Sequence, residues 1–154
     1  DGTWQRERQT EEKWWEPIEH RVLQGAPVST DFKLQSLSQG ESRVYQVYRI
    51  EMSEASLANP RSFWDWVTER EDWFYKNLPM VKDVRWLRYT VGNSSILENW
   101  TGFDDMDGYA AYYKQIGLLR QDRKWETQRV SQEYYWHFKD MRLVIEKLLP
   151  QIVA

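Results

Sequence analysis

Between residues 43 and 52 the chain alternates: Val44, Gln46, Tyr48, Ile50 and Met52 fall on one side, and Arg43, Tyr45, Val47, Arg49 and Glu51 on the other. A period of two sends successive side chains to opposite faces of a pleated strand, where β-branched and aromatic residues pack well. The period then lengthens. Phe63, Trp66, Val67, Trp73, Phe74 and Leu78 share one broad helical face. Asn59 can accept from the free N–H groups of the helix start, Pro60 fits the first helical position, and Pro79 closes the run. Alternation returns over residues 81–91, with Trp86 on one face and Leu87, Tyr89 and Val91 on the other, so that this strand is apolar on both sides. Gly92, Asn93 and Ser94 supply a turn, and residues 96–103 make the returning strand of an antiparallel pair. Asp104 or Asp105 caps a helix carrying Met106, Tyr109, Ala110, Tyr113 and Ile116, which Gly117 can break.

Two periodicities compete in the last third. Tyr134, Phe138, Met141, Ile145, Leu148 and Ile152 recur at spacings of four and three, as in a long amphipathic helix, whereas Met141, Leu143 and Ile145 alternate with Asp140, Arg142 and Glu146, as in an edge strand. A fourth strand would complete a split βαβ unit. The expectation is therefore a helix over 124–135 and a strand over 140–147. Residues 1–42 read as an extension packed on the core, and residues 43–154 as the domain proper. Within the extension, residues 10–23 are helix-like despite Pro17, residues 32–37 suggest a short extra strand, and residues 38–42 suggest a turn.

Composition narrows the class. The chain has 154 residues, 41% of them hydrophobic and 16% aromatic, with ten Trp and nine Tyr, which suits one packed domain rather than two. Its net charge of -3 comes from Lys and Arg scattered among Asp and Glu. No basic stripe is present to neutralise phosphates, so nucleic acid is not an expected partner. No apolar run approaches the roughly 20 residues that cross a bilayer, so a soluble chain without a membrane partner is expected. The absence of Cys removes thiolate catalysis, thiolate metal sites and disulfides. The sequence opens on Asp1 rather than Met, compatible with trimming or with removal of an export signal, and a cytoplasmic location is slightly favoured over export.

The order of elements, with Glu98, Asn99 and Trp100 at the end of the third strand, Asp105, Met106, Asp107, Gly108 and Tyr109 opening a helix, and Asp122, Arg123, Lys124 and Trp125 before another, resembles the dimeric α+β barrel proteins. Within them it is most similar to NIPSNAP-type and antibiotic-biosynthesis-monooxygenase-like domains, over residues 43–150. The resemblance implies an α+β, ferredoxin-like βαββαβ protomer with an antiparallel sheet and helices on one face, whose other face packs on a second copy to form a barrel. The two-sided apolarity of residues 81–91 points the same way, because helices cover one face and something must cover the other. Such proteins include cofactor-free monooxygenases, haem-degrading enzymes, isomerases and proteins of unknown role, so the fold gives no activity. The His, Asn and Trp arrangement of the haem-degrading relatives has no residue-by-residue match here.

Chemistry-bearing residues are few. Of the two imidazoles, His20 and His137, the second follows Tyr134, Tyr135 and Trp136 and is the candidate for a lone acid or base; the plain alternative is a partly exposed His at an element boundary. The acids at 104, 105 and 107 fail the calcium-loop pattern, because its first ligand would be Phe103 and its last Lys114, and they read as a helix cap. Glu69, Glu71 and Asp72 read as charge on the solvated side of the first helix. No phosphate loop, nucleophile elbow or metal-ligand cluster is present in the sequence, and no cofactor or metal is expected.

The aromatic set is the most unusual feature. Tyr48, Trp66, Trp86, Tyr89 and Trp100 are the candidates to line a flat-walled cavity for an apolar or aromatic ligand, against the alternative that the rings only fill the core. Trp64 falls off the main apolar face with Thr68 and Tyr75, where a ligand or a second subunit can cover it. The functional expectation is a homodimeric small-molecule-binding protein, with cofactor-independent monooxygenase-like or isomerase-like turnover as an extension of it. The alternatives are a non-catalytic structural or interaction protein, in which the aromatics serve core and dimer interface, and carbohydrate binding through exposed Trp faces.

Overall fold

A computed structural model describes residues 22–25 and 41–147. The alternating stretch is strand β2 (Ser42–Met52), and β1 (Val22–Gly25) is a short strand of the extension. A turn of helix not expected from the sequence follows, α1 (Glu54–Ala58), because Ser53 is extended and its hydroxyl accepts from Ser56 N at 3.2 Å. Helix α2 (Pro60–Lys76) starts as predicted, with Pro60 in its first turn and the Asn59 side chain accepting from Ser62 N. The hairpin of β3 (Asp83–Val91) and β4 (Ile96–Phe103) turns at Gly92, whose φ of 102° lies in the left-handed region that glycine enters without strain.

Asp105 caps α3 (Met106–Leu119) by accepting from Gly108 N at 2.8 Å, and Asp122 caps α4 (Arg123–Tyr135) by accepting from Lys124 N at 2.7 Å. Helix α3 runs through Gly117 rather than breaking there, since its own hydrogen bonds continue to Arg120. The contested final segment is a strand, β5 (Trp136–Lys147), four residues longer at its start than expected. Pairing decides this: eleven residues of β2, from Ser42 to Met52, find antiparallel partners on β5, with a bulge between Arg49 and Ile50.

The strands are ordered β1-β3-β4-β2-β5 and every neighbouring pair is antiparallel. The inner order β3-β4-β2-β5 is that of a ferredoxin-like βαββαβ unit, and β1 adds an edge beyond β3. The helix predicted over 10–23 therefore gives way to strand at Val22 and Leu23, where pairing with Val91 and Tyr89 supplies the hydrogen bonds. The rest of that helix, the strand over 32–37 and His20 lie outside the described residues. No helix among the described residues is long and apolar enough to cross a membrane.

Helices α2 and α3 lie on one face of the sheet. Their core joins Phe63, Trp66, Val67 and Phe74 to Ile50, Val84, Trp86, Phe103 and Trp136. The other face departs from the expected apolar surface. Its centre combines Tyr45, Val47 and Tyr89 with buried Arg43, Asp83 and Glu98, while Val91 is exposed. Tyr45 donates to Asp83 at 2.6 Å, and Arg85 lies 4.6 Å above the Tyr45 ring. These groups are buried within the single chain, so a second copy is not required to cover them.

Two glycines separate tight packing from open space. A Cβ on Gly102 would lie 2.7 Å from Tyr45 Cε1 and 2.9 Å from Arg43 Cδ, whereas one on Gly117 would meet nothing within 4 Å. In urea unfolding, Gly102→Ala is expected to cost about 1–3 kcal/mol by overpacking, and Gly117→Ala to add about 0.5–1 kcal/mol in the helix interior. Equal effects of the two would contradict this packing.

Candidate functional site

Between the helices and the centre of the sheet lies a cavity of about 680 Å³. The period-two pattern places Tyr48 of β2, Trp86 of β3, and Asn99 and Thr101 of β4 on its floor. Helix α2 contributes Arg70, Phe74 and Tyr75 at successive turns, α3 contributes Tyr112 and Ile116, and Trp125 of α4 closes one side. Phe138 and Met141 of β5 stand at the rim and are exposed. A cavity of this size with aromatic walls and a few polar groups has the character of a small-molecule site.

Its polar groups form short chains. Tyr113 donates to Gln46 Oε1 at 3.1 Å, the Tyr75 hydroxyl and Thr101 Oγ1 share a bond of 3.3 Å, and Thr101 Oγ1 donates to Asn99 Oδ1 at 3.1 Å. Burial pushes the Tyr48 phenol up to about 12, with neighbouring Tyr113 adding to the effect. Burial likewise raises Tyr75, with Glu71 adding, and Tyr112, with Tyr75 adding. At neutral pH these hydroxyls keep their protons and act as hydrogen-bonding groups. Two buried amide donors lack a well-formed hydrogen bond, Asn99 Nδ2 and Gln46 Nε2, and the first belongs to the cavity lining. Each side chain lies beside tyrosine hydroxyls whose pKa it lowers, Tyr75 for Asn99 and Tyr48 and Tyr112 for Gln46.

The charges of the cavity wall are unequally paired. Arg129 donates to both oxygens of Glu126, at 2.8 and 3.0 Å, and to Glu133 at 3.0 Å. Arg70 instead lies among rings, with its guanidinium 5.1 Å from the Trp136 centroid, 5.4 Å from Phe74 and 5.8 Å from Trp66. Among the described residues, no carboxylate makes an ion pair with it.

Glu71 corrects the sequence reading. Glu69 and Asp72 are exposed as expected, but Glu71 is 0% exposed. It follows Val67 by four residues and precedes Phe74 and Tyr75 by three and four, which places it on the buried stripe. Its Oε1 accepts from the Trp86 indole N–H, while Oε2 has no partner. Burial pushes this carboxyl up to about 7, against the Trp86 hydrogen bond and the charge of Arg70, which both pull it down. On the far face of the sheet, Glu98 shows the opposite outcome. Burial raises it too, but Trp100 Nε1 at 2.9 Å, Arg142 at 3.0 and 3.1 Å and Tyr89 at 3.0 Å all donate to it and hold it below the usual range.

The structure thus divides the aromatic candidates. Tyr48 and Trp86 share the cleft. Trp66 packs beside it, stacked on Tyr135 at 4.5 Å, and lines a shallower hollow of about 370 Å³ at the start of α2. Tyr89 and Trp100 point to the opposite face, on Glu98. Register also places His137 opposite Glu51 on that far side, exposed and outside the cleft lining. Trp64 is partly buried edge-on against Phe63 and Trp86, Thr68 is exposed, and Tyr75 is buried in the cleft. Arg70, Asn99 and Tyr112 were not singled out as site residues, although Tyr112 adjoins the Tyr109, Tyr113 and Ile116 stripe. Among the described residues no group of three or more His, Asp or Glu could hold a metal ion.

Glu71 gives the stability a defined pH signature. Its folded pKa of about 7 lies above the ordinary 4.5, so the folded state binds the extra proton and stability falls as pH rises between those values. The total loss is on the order of 3 kcal/mol. Glu71→Gln is expected to keep the acceptor for Trp86 and to flatten this slope, read as urea midpoints at pH 5 and pH 8. A variant slope equal to that of the wild type would contradict the assignment.

No protein-family model matches the chain. No curated protein matches it in sequence. In fold it is similar to a solved structure of a NIPSNAP family protein from Agrobacterium tumefaciens strain C58, at 17% identity and a TM-score of 0.44, covering 79% of this chain and 96% of that one. A likeness at that level informs neither activity nor ligand, and the ferredoxin-like description rests on the strand order itself.

Proposed function

We propose that the chain is a small-molecule-binding protein whose ligand, flat and largely apolar or aromatic, occupies the cleft beneath α2 and α3. The observation that carries this reading is the aromatic cavity of about 680 Å³ whose lining includes the buried amide donor of Asn99, which lacks a well-formed hydrogen bond. An unsatisfied donor at such a depth costs free energy unless a partner arrives, and an acceptor atom on a bound compound is one. Rings that served the core alone would leave neither the space nor the donor. Binding is favoured over turnover, because the lining tyrosines keep their protons and Glu71, whose carboxyl is pushed up to about 7, is not among the residues that line the cleft.

Calorimetry with naphthalene-2-carboxamide tests the cleft. Saturable one-to-one binding is expected, weakened tenfold or more by Ile116→Phe, which adds bulk to the cavity wall. At a hundredfold excess over Kd the ligand should raise unfolding stability by about 2.7 kcal/mol. Binding unchanged by Ile116→Phe in a folded variant would place the ligand elsewhere and remove the reading.

The assembly proposed with it is a homodimer. Its support is now the edge strand β5, where Phe138, Met141, Leu143 and Ile145 are exposed, the last at 72%. A long apolar edge is an invitation to pairing with a second copy. Light scattering should give twice 18.8 kDa, and a monomer across the micromolar range would remove the dimer.

A further inference from the structure

Among the residues that line the cleft, the groups left unmatched share one polarity; the unpaired Oε2 of Glu71 lies outside that lining. Asn99 Nδ2 is a donor without a well-formed hydrogen bond, and Asn99 is 7% exposed. Arg70 brings further donors and a full positive charge, and among the described residues its guanidinium lies against the faces of Trp66, Phe74 and Trp136. The lining carboxylate that could balance it, Glu126, has both oxygens engaged by Arg129. Arg70 lines the cavity together with Tyr48, Tyr75 and Tyr112, and its charge pulls the pKa of each of these phenols down against the larger effect of burial. Stacking on rings offsets part of the cost of holding a half-buried cation, yet it gives the guanidinium N–H groups no protein acceptor among the described residues.

We infer that the compound the cleft takes is a planar carboxylic acid, whose apolar body lies among the aromatic walls and whose carboxylate is recognised by Arg70 and Asn99. This rests on the cleft being a ligand site and adds the chemical class of the ligand. A carboxylate supplies what the wall lacks: negative charge for Arg70, acceptor oxygens for its fork of donors, and an acceptor for the Asn99 amide. A neutral flat compound meets the rings and Asn99 but leaves Arg70 unbalanced. Exposed Arg120, also in the lining, adds attraction for an anion.

The test compares naphthalene-2-carboxylate with naphthalene-2-carboxamide by calorimetry on the full chain at pH 7 and low salt. The acid is expected to bind at least tenfold more tightly than the amide. Arg70→Gln should remove that preference, weakening the acid tenfold or more while leaving the amide within about twofold, and Arg70→Lys should restore part of it. Asn99→Ala should weaken both ligands. Equal affinity of acid and amide for the wild type overturns the inference while leaving the cleft as a ligand site; silence of both overturns the cleft reading and the inference with it. The wild-type comparison decides the matter even where Arg70→Gln fails to fold, and an acid preference that survives in a folded Arg70→Gln assigns the recognition elsewhere and overturns it as well.

Discussion

A buried carboxyl with no cation bonded to it, Glu71, accepts from the indole N–H of Trp86, and the seat of α2 on the sheet depends on that bond. Trp86 sits at the meeting point of several elements. Its ring lies 5.9 Å from Trp64 of α2 and 5.6 Å from Trp136, where β5 begins. Trp136 in turn packs 5.0 Å from Trp66 and 6.2 Å from Phe63. Ring packing is strong but tolerant of rotation, whereas a single directed hydrogen bond fixes which edge of the indole faces the helix. With that edge committed to Glu71, the ring of Trp86 also forms part of the cleft floor.

The same physics works differently on the two sides of the sheet. On the far side buried carboxylates face donors and cations: Glu98 receives Tyr89, Trp100 and Arg142, and Asp83 receives Tyr45 on one oxygen with Arg43 and Arg85 close by, its other oxygen staying unpaired. Such a network favours one arrangement, because removing any member leaves a buried charge exposed to an apolar surrounding. On the helix side the accounts are left open. Glu71 keeps one oxygen unpaired, Asn99 keeps one donor without a well-formed hydrogen bond, and Arg70 rests on rings. Unanswered polarity in a cavity lining is the signature of a surface shaped for a partner, and in the lining itself, which Glu71 does not join, the excess is in donors and positive charge.

Much of this fold was legible in the sequence. The period-two alternation of Val44 to Met52 located β2, the Asn59 and Pro60 pair located the start of α2, and Gly92 located the hairpin. The rival periods near Met141 were resolved by long-range pairing with β2, which no local pattern contains. Gly117 was misread because helix breaking needs a left-handed residue at the end, and the chain continues in helix to Leu119. The site was less legible. Face parity already separated Trp86 from Tyr89, since residues three apart in a strand point opposite ways, but treating the aromatics as one set obscured it. Glu71 was legible from its spacing to Val67 and Tyr75 and was masked by its charge between Arg70 and Asp72. Arg70 shares the spacing of the buried stripe, four residues from both Trp66 and Phe74, and Asn99 falls on the face opposite Trp100, but their importance comes from what the folded chain fails to give them.

The most direct measurement of the central claim is a crystal structure of the chain grown with naphthalene-2-carboxylate. The account predicts density for the ring system among Tyr48, Phe74 and Tyr112, with its carboxylate at Arg70 and Asn99. Density confined to the far face of the sheet, or a cleft closed by its own side chains while the compound binds elsewhere, would contradict it.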